Sequence, residues 1–229
     1  MPVALITGAS RGLGLALARA LATNGWALVL DARGTDALDA AAAELAAQTT
    51  TAAISGDVAD PAHRAALVAA AAKLGGLDVL VNNASILGPS PQPLLRDYPL
   101  DVLDDVLRVN AVAPLALIQG ALPLLQASHG RILNITSDAG VEGYEGWGGY
   151  GASKAALEQL SRVLAAEHPE LRVYWVDPGD MNTQMQQEAF PGEDVSDRPP
   201  PEDSVPGLLT LITGTLPSGR YVARDLVTV

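Results

Sequence analysis

The 229-residue chain contains no cysteine, so disulfides and thiolate metal sites are excluded outright. Histidine is nearly as scarce: His63, His129 and His168 are the three present, none spaced to share a metal with another, and no metal is expected. Aromatic residues make up only 4% of the chain. Positive charge is also short, with 14 Lys and Arg against 26 Asp and Glu and a formal net charge of −12. Binding a nucleic-acid backbone needs a basic patch, so that class of partner is not expected. No basic leader precedes Met1-Pro2-Val3-Ala4-Leu5-Ile6, and no apolar run reads as long enough to span a bilayer. The absences point to a soluble, cytoplasmic protein with neither membrane nor nucleic-acid partners; the lack of cysteine is compatible with a reducing compartment.

What is present argues for a packed core. Hydrophobic residues make up 48% of the chain and charged residues 17%, which argues against disorder, and the length suits one large α/β domain over residues 1–229. Strand-like runs at Val3–Ile6, Ala27–Leu30, Ala52–Ile54, Val79–Asn82, Arg131–Thr136, Arg172–Val176 and near Tyr221–Val222 are separated by helical patterns. The helices are expected at Leu13–Thr23, Asp36–Ala47, Ala62–Lys73, Asp101–Ala127 and Tyr150–Glu167, the fourth kinked or restarted at Pro114. Several strands are apolar at successive positions, as in strands covered on both faces. The alternation predicts a Rossmann-type fold: a doubly wound parallel sheet of about seven strands with helices on both faces. Residues 191–206 are rich in Pro, Asp and Glu and bury too little apolar surface to order strongly. They read as a surface loop or as part of a mobile lid over about 180–206.

Thr7-Gly8-Ala9-Ser10-Arg11-Gly12-Leu13-Gly14 joins the first strand to the first helix. Glycines there allow a tight turn and let backbone N–H groups approach a pyrophosphate at the helix N-terminus. The spacing T-G-x-x-x-G-x-G resembles that of the short-chain dehydrogenase/reductase family, and the later motifs extend the resemblance over essentially the whole chain. It implies a nicotinamide cofactor on Gly8, Ser10, Arg11, Gly12, Leu13 and Gly14. After the second strand, Asp31-Ala32-Arg33 decides between cofactors: an acid binds the ribose 2′-hydroxyl of NAD, an arginine the 2′-phosphate of NADP. Ala32 fills the position where NAD-preferring members place Asp; Arg33, with Arg11, favours NADP(H), while Asp31 keeps NAD(H) open. The resemblance also implies adenine contacts from Asp57 and Val58, and cofactor contacts from Asn83 and Ala84 in Asn82-Asn83-Ala84-Ser85. Ser85 departs from the family's N-N-A-G, and serine tolerates positive φ less well than glycine. Asn82 and Asn83 also suit a plain turn at a strand end.

Tyr150 and Lys154 lie four residues apart on a helical pattern, hence on one face. A free tyrosine has a pKa near ~10, too high for proton transfer at neutral pH. A neighbouring ammonium and a positively charged nicotinamide ring are expected to lower it, making Tyr150 a general acid/base. By resemblance Lys154 also bonds the nicotinamide ribose, Tyr150 contacts the cofactor, and Asn110 holds a water in the proton relay. Ser137, at the end of the fifth strand, is placed to orient a substrate oxygen. A hydrolase role for Ser137 is disfavoured, since no G-x-S-x-G elbow surrounds it. Pro178, Gly179 and Thr183 resemble the family's P-G-x-x-x-T segment, which meets the nicotinamide carboxamide.

Two readings follow: a reductase or dehydrogenase acting on a small carbonyl/alcohol pair, or a nucleotide-binding sensor without turnover. The tyrosine–lysine pair favours the enzyme. Tyr144 and Trp147 either wall a substrate pocket or fill a gap in the core. The resemblance further implies a homodimer or homotetramer built on the fourth and fifth long helices; Leu115-Ala116-Leu117-Ile118 and Ala155-Ala156-Leu157 either supply such surfaces or simply bury in the core.

Overall fold

A computed structural model describes residues 1–226; the last three of the 1–229 span lie outside it. The first strand, Val3–Ile6 (β1), leads into Gly12–Thr23 (α1), then Ala27–Ala32 (β2), Thr35–Ala46 (α2), Thr51–Ser55 (β3), Pro61–Lys73 (α3) and Val79–Asn82 (β4). The second half runs Leu100–Leu107 (α4), Ala113–Ser128 (α5), Arg131–Ile135 (β5), Gly148–Glu167 (α6), Arg172–Asp177 (β6), Gln184–Ala189 (α7), Val205–Thr213 (α8) and Gly219–Val222 (β7). All seven strands pair in parallel in the order β3-β2-β1-β4-β5-β6-β7. The order reverses between β1 and β4, which opens a crevice beyond their carboxyl ends.

The successive apolar residues of β1, β2 and β4 are buried along their whole length because both sheet faces are covered. On one face Leu28, Leu30, Val79 and Val81 pack with Leu17 and Leu21 of α1 and with Leu208 and Leu211 of α8. On the other, Leu5, Val29, Leu80 and Ile132 meet Leu67 of α3, Leu117 and Leu125 of α5, and Leu164 of α6. Local signals fix the helix ends. Asp60 accepts from the Ala62 N–H with Pro61 opening α3, and His129 closes α5 in the left-handed region at φ 52.

The long fourth pattern divides in a way periodicity does not indicate. Between α4 and α5, Arg108–Val112 forms a π-helical turn, and α5 restarts with Pro114 in its first turn. Proline has no N–H to return to the preceding turn, and the backbone widens there. The bilayer expectation needs correction. Leu100–Ser128 is a 29-residue helical run whose most apolar 18-residue window has a mean hydropathy of 1.4, enough to cross a membrane by length and composition. Its residues Leu117, Ile118, Ala121 and Leu125 instead supply the sheet's core. Helices α7 and α8 are additions to the sequence expectation. The acidic, proline-rich stretch between them is pinned by a buried Val195 and by the Asn182 N–H donating to the Pro199 carbonyl at 2.8 Å.

Candidate active site

The glycine turn fills the mouth of the crevice. Gly8 and Gly12 have φ of 66° and 55°, and a Cβ on Gly14 would stand 2.4 Å from the Gly8 carbonyl oxygen. The Thr7 hydroxyl accepts from the N–H groups of Asn83 and Ala84, both at 3.0 Å. Asn83 in return donates to the carbonyls of Thr7 and Gly8, at 2.9 and 3.1 Å. Asn83 and Ala84 thus brace the turn as well as border it. The first turn of α1 carries no acidic side chain, and Arg11 gives it no side-chain cap. Free N–H groups over an uncompensated helix N-terminus fit a pyrophosphate. Ser10 and Gly12 are half-buried there, while the side chain of Leu13 turns into the core.

The candidates for the cofactor's ribose diverge. Arg33 is exposed beyond β2 and has no partner among the described residues, whereas Arg11 donates to Gln184 of α7. Asp31 is buried and turned inward. Its Oδ1 lies 2.6 Å from His63 Nε2, its Oδ2 accepts from the Gly8 N–H at 3.4 Å, and its carbonyl accepts from Ala9 at 2.8 Å. Burial pushes its carboxyl above the usual range, and His63 opposes that rise. The imidazole is pressed against Gly56, where a Cβ would come within 2.3 Å of Nδ1. Farther along, Val58 is buried and Asp57 is exposed, its carboxylate accepting from the Ala59 N–H at 2.8 Å.

Tyr150 and Lys154 occupy one face of α6 and are both buried. Lys154 Nζ lies 5.3 Å from the Tyr150 ring centroid and donates to the Ile135 carbonyl, the last of β5, at 2.9 Å. The chain's own groups do not by themselves supply the lowering expected of Lys154 and the nicotinamide ring together. Burial drives the phenol well up, Asp177 and Asp138 add to the rise, and only Ser85 pulls against it. Burial also brings Lys154 down to about 8, so the ammonium is itself weakened. Ser137 follows β5 and is half-buried, but its hydroxyl donates to Asp138 Oδ1 at 2.9 Å and accepts from the Ala139 N–H. Asn110 sits in the π turn, its amide committed: Oδ1 accepts from the Ile86 N–H at 2.9 Å, and Nδ2 donates to the Ile86 carbonyl and to Ser153 Oγ.

The segment after β6 covers this centre. Pro178 is buried, its carbonyl accepting from Ser204 Oγ, and Gly179 turns at φ 77. Thr183 caps α7, accepting from the Gln186 N–H, and its methyl approaches Gly12. Trp147 packs edge-on against Tyr150 at 5.7 Å between ring centroids and meets Phe190 at 5.9 Å, with Leu87, Met185 and Ala189 beside them. Tyr144 instead lies at the surface, 47% exposed, donating to Asp138 Oδ2 at 2.9 Å. Trp147 therefore belongs to the wall beside Tyr150, and Tyr144 fills no core gap.

A family model described as short chain dehydrogenase matches residues 2–194. The chain belongs to the short-chain dehydrogenase family. It is an NAD(P)-dependent oxidoreductase, which favours the enzyme over the silent sensor. It is 36% identical over 192 residues to the rhamnolipids biosynthesis 3-oxoacyl-[acyl-carrier-protein] reductase of Pseudomonas aeruginosa, covering 80% of this chain and 74% of that protein. Among solved structures, the oxidoreductase yciK from E. coli superposes with a TM-score of 0.90 at 32% identity, covering 97% of this chain and 95% of that one. An alcohol dehydrogenase from Thermococcus sibiricus complexed with 5-hydroxy-NADP superposes with a TM-score of 0.88 at 28% identity, over 97% and 95% of the two chains.

Within this family frame, two groups lie outside the sequence reading. Glu158, one further turn along the face of Tyr150 and Lys154, is 1% exposed and takes Arg162 and Arg220, each at 2.9 Å. Arg220 also reaches Asp177 at 3.5 Å, whose other oxygen accepts from the Gly179 N–H. The four-residue spacing 150-154-158-162 carried that signal. The Asp31–His63 pair had none, being 32 residues apart.

Proposed function

We propose that this short-chain dehydrogenase moves hydride between NADP(H) and a small carbonyl/alcohol pair, with Tyr150 as the general acid/base. The carrying observation is the buried Tyr150–Lys154 pair on α6, at the carboxyl end of β5 and under an apolar wall. A bound nicotinamide supplies or accepts the hydride and, when oxidised, adds a positive charge. In reduction Tyr150 gives its proton to the carbonyl oxygen; in oxidation it takes one back. Ser137 orients that oxygen by exchanging its donation to Asp138 for one to the substrate. Lys154 spends one N–H on Ile135 and keeps two for the ribose hydroxyls and for the proton's return path. Asn110 supports that path by fixing Ile86 and Ser153.

Gly8 to Gly14, Asp57, Val58, Asn83 and Ala84 are proposed to cradle the cofactor, with Pro178, Gly179 and Thr183 at its nicotinamide end. Preference for NADP(H) over NAD(H) rests on free Arg33, on Arg11, and on an Asp31 whose carboxylate faces His63. The known NADP-type ligand of the Thermococcus sibiricus neighbour supports it. Trp147, Phe190, Met185 and Leu87 suit an apolar, uncharged substrate, and residues 180–206 act as the lid. The enzyme is proposed to work on small molecules in the cytoplasm.

The test is a cofactor-absorbance screen of ketones and alcohols with NADPH and NADH. Tyr150→Phe should lower kcat by about 10²–10⁴-fold with the fold intact; wild-type turnover in that variant sinks the assignment. In the same screen Arg33→Ala should raise KM for NADPH by roughly tenfold and leave NADH unchanged.

A further inference from the structure

Asp31 stands at the carboxyl end of β2, two residues before the exposed Arg33. An acid at that end of the strand ordinarily reads the ribose 2′-hydroxyl, and its charge opposes a 2′-phosphate. Here the carboxylate has other partners. Oδ1 accepts from His63 Nε2 at 2.6 Å, and Oδ2 is turned to the Gly8 N–H at 3.4 Å. Both side chains of the pair are buried. The imidazole is carried there by a fixed frame at the start of α3. Asp60 caps that helix at 2.9 Å from the Ala62 N–H, Arg64 donates to the Val58 carbonyl at 2.6 Å, and the Gly56 N–H donates to the Ala32 carbonyl at 3.0 Å. Only a bare Cα at 56 leaves room for the ring, since a Cβ would stand 2.3 Å from Nδ1. A buried ion pair adds little net stability to a fold, and this one lies outside the proton path through Tyr150 and Lys154.

We propose that His63 is a specificity-determining residue for the cofactor: by holding the Asp31 carboxylate inward it keeps that charge off the adenosine ribose and leaves Arg33 to take the 2′-phosphate of NADP(H). The discrimination works by withdrawal. NAD(H) loses the acceptor its 2′-hydroxyl would use, and NADP(H) is spared a repelling carboxylate. This rests on the NADP(H) reading above, and it assigns control of the cofactor to a side chain 32 residues away from the acid it restrains.

The experiment is an equilibrium titration of NADPH and of NADH into the protein, read by the fluorescence of the reduced nicotinamide ring with no substrate present. Wild type should bind NADPH more tightly than NADH; the reverse order sinks the NADP(H) reading itself, and this proposal with it. In His63→Ala the unpaired carboxylate turns to the crevice, and the ratio of the two Kd values should move toward NADH by on the order of tenfold. Adding Asp31→Asn to that variant removes the charge and should return the ratio to that of wild type. A pair that merely props the glycine turn would weaken both cofactors alike and leave the ratio where it was. Asp31→Asn alone decides the matter where His63→Ala does not fold. Its ratio should stay within about twofold of wild type, because the carboxylate it replaces does not reach the ribose. A ratio unchanged in His63→Ala, or one that Asp31→Asn does not return, overturns the proposal, as does a loss of NADH binding by about tenfold in Asp31→Asn alone. In each of those cases wild type still prefers NADPH, so the failure is distinct from that of the NADP(H) reading.

Discussion

Lys154 keeps only 3% of its surface in contact with solvent and Tyr150 keeps 8%, and neither has a carboxylate within hydrogen-bonding distance. Burial therefore sets both proton affinities, raising the phenol and lowering the ammonium to about 8. For Lys154 the consequence for stability has a definite sign. Folded, it releases its proton near 8; unfolded, near the ordinary ~10.4. Between those values the unfolded chain binds more protons, so this residue's contribution to stability rises with pH across that window. Above pH ~10 Tyr150 works the other way, because its ionisation is then easier in the unfolded chain. Urea midpoints of wild type and Lys154→Met between pH ~7.5 and ~9.5 check it: wild type should gain on the variant as pH rises, by about 2 kcal/mol across that window. A constant gap would mean that Lys154 is not desolvated.

The π turn between α4 and α5 turns one asparagine into a strut. Widening the helix at Arg108–Val112 brings Asn110 to the loop after β4, where one amide meets both backbone groups of Ile86 and the hydroxyl of Ser153. Removing it orphans a buried donor and acceptor together, so Asn110→Ala should lose about 2–4 kcal/mol in a urea melt. Activity should fall further than Tm suggests, because the loop carrying Ala84 and Ser85 is set by that bond. Sequence periodicity located the helices around this strut but not the strut itself: a π turn costs a single extra residue in the hydrogen-bond ladder, too little to disturb an apolar pattern. Pro114 marked the place without naming the geometry. Helix α8 was missed for a different reason. Its Val205-Pro206-Gly207 start reads as a breaker, yet Gly207 is what lets it press on the Ala223 carbonyl, where a Cβ would stand 1.8 Å away.

Across the whole molecule, the alternation of strands and helices was legible because each βαβ unit is local in sequence and buried on both faces. The Tyr150–Lys154 pair and the glycine turn were legible because their spacings are short. Long-range polar pairing was not: Asp31 with His63 and Glu158 with Arg220 join residues whose neighbours in sequence give no hint of each other. The segments expected to serve an assembly divide between core and surface. Leu117, Ile118 and Leu157, expected at a subunit interface, are core residues, while Leu115, Ala116, Ala155 and Ala156 stay half-buried and Val163 on α6 is 44% exposed. If the homodimer or homotetramer forms there, light scattering should give a multiple of the chain mass, and Val163→Asp should reduce it to the monomer's. The buried trio of Asp31, His63 and Gly56 carries a last consequence, for divergence. Any side chain at 56 collides with an imidazole that Asp31 holds fast, so drift at 56 is closed until 63 changes, and losing His63 strands a buried carboxylate at 31. Substitutions at the three positions are therefore expected to be coupled, with the change at 31 the one that opens the others.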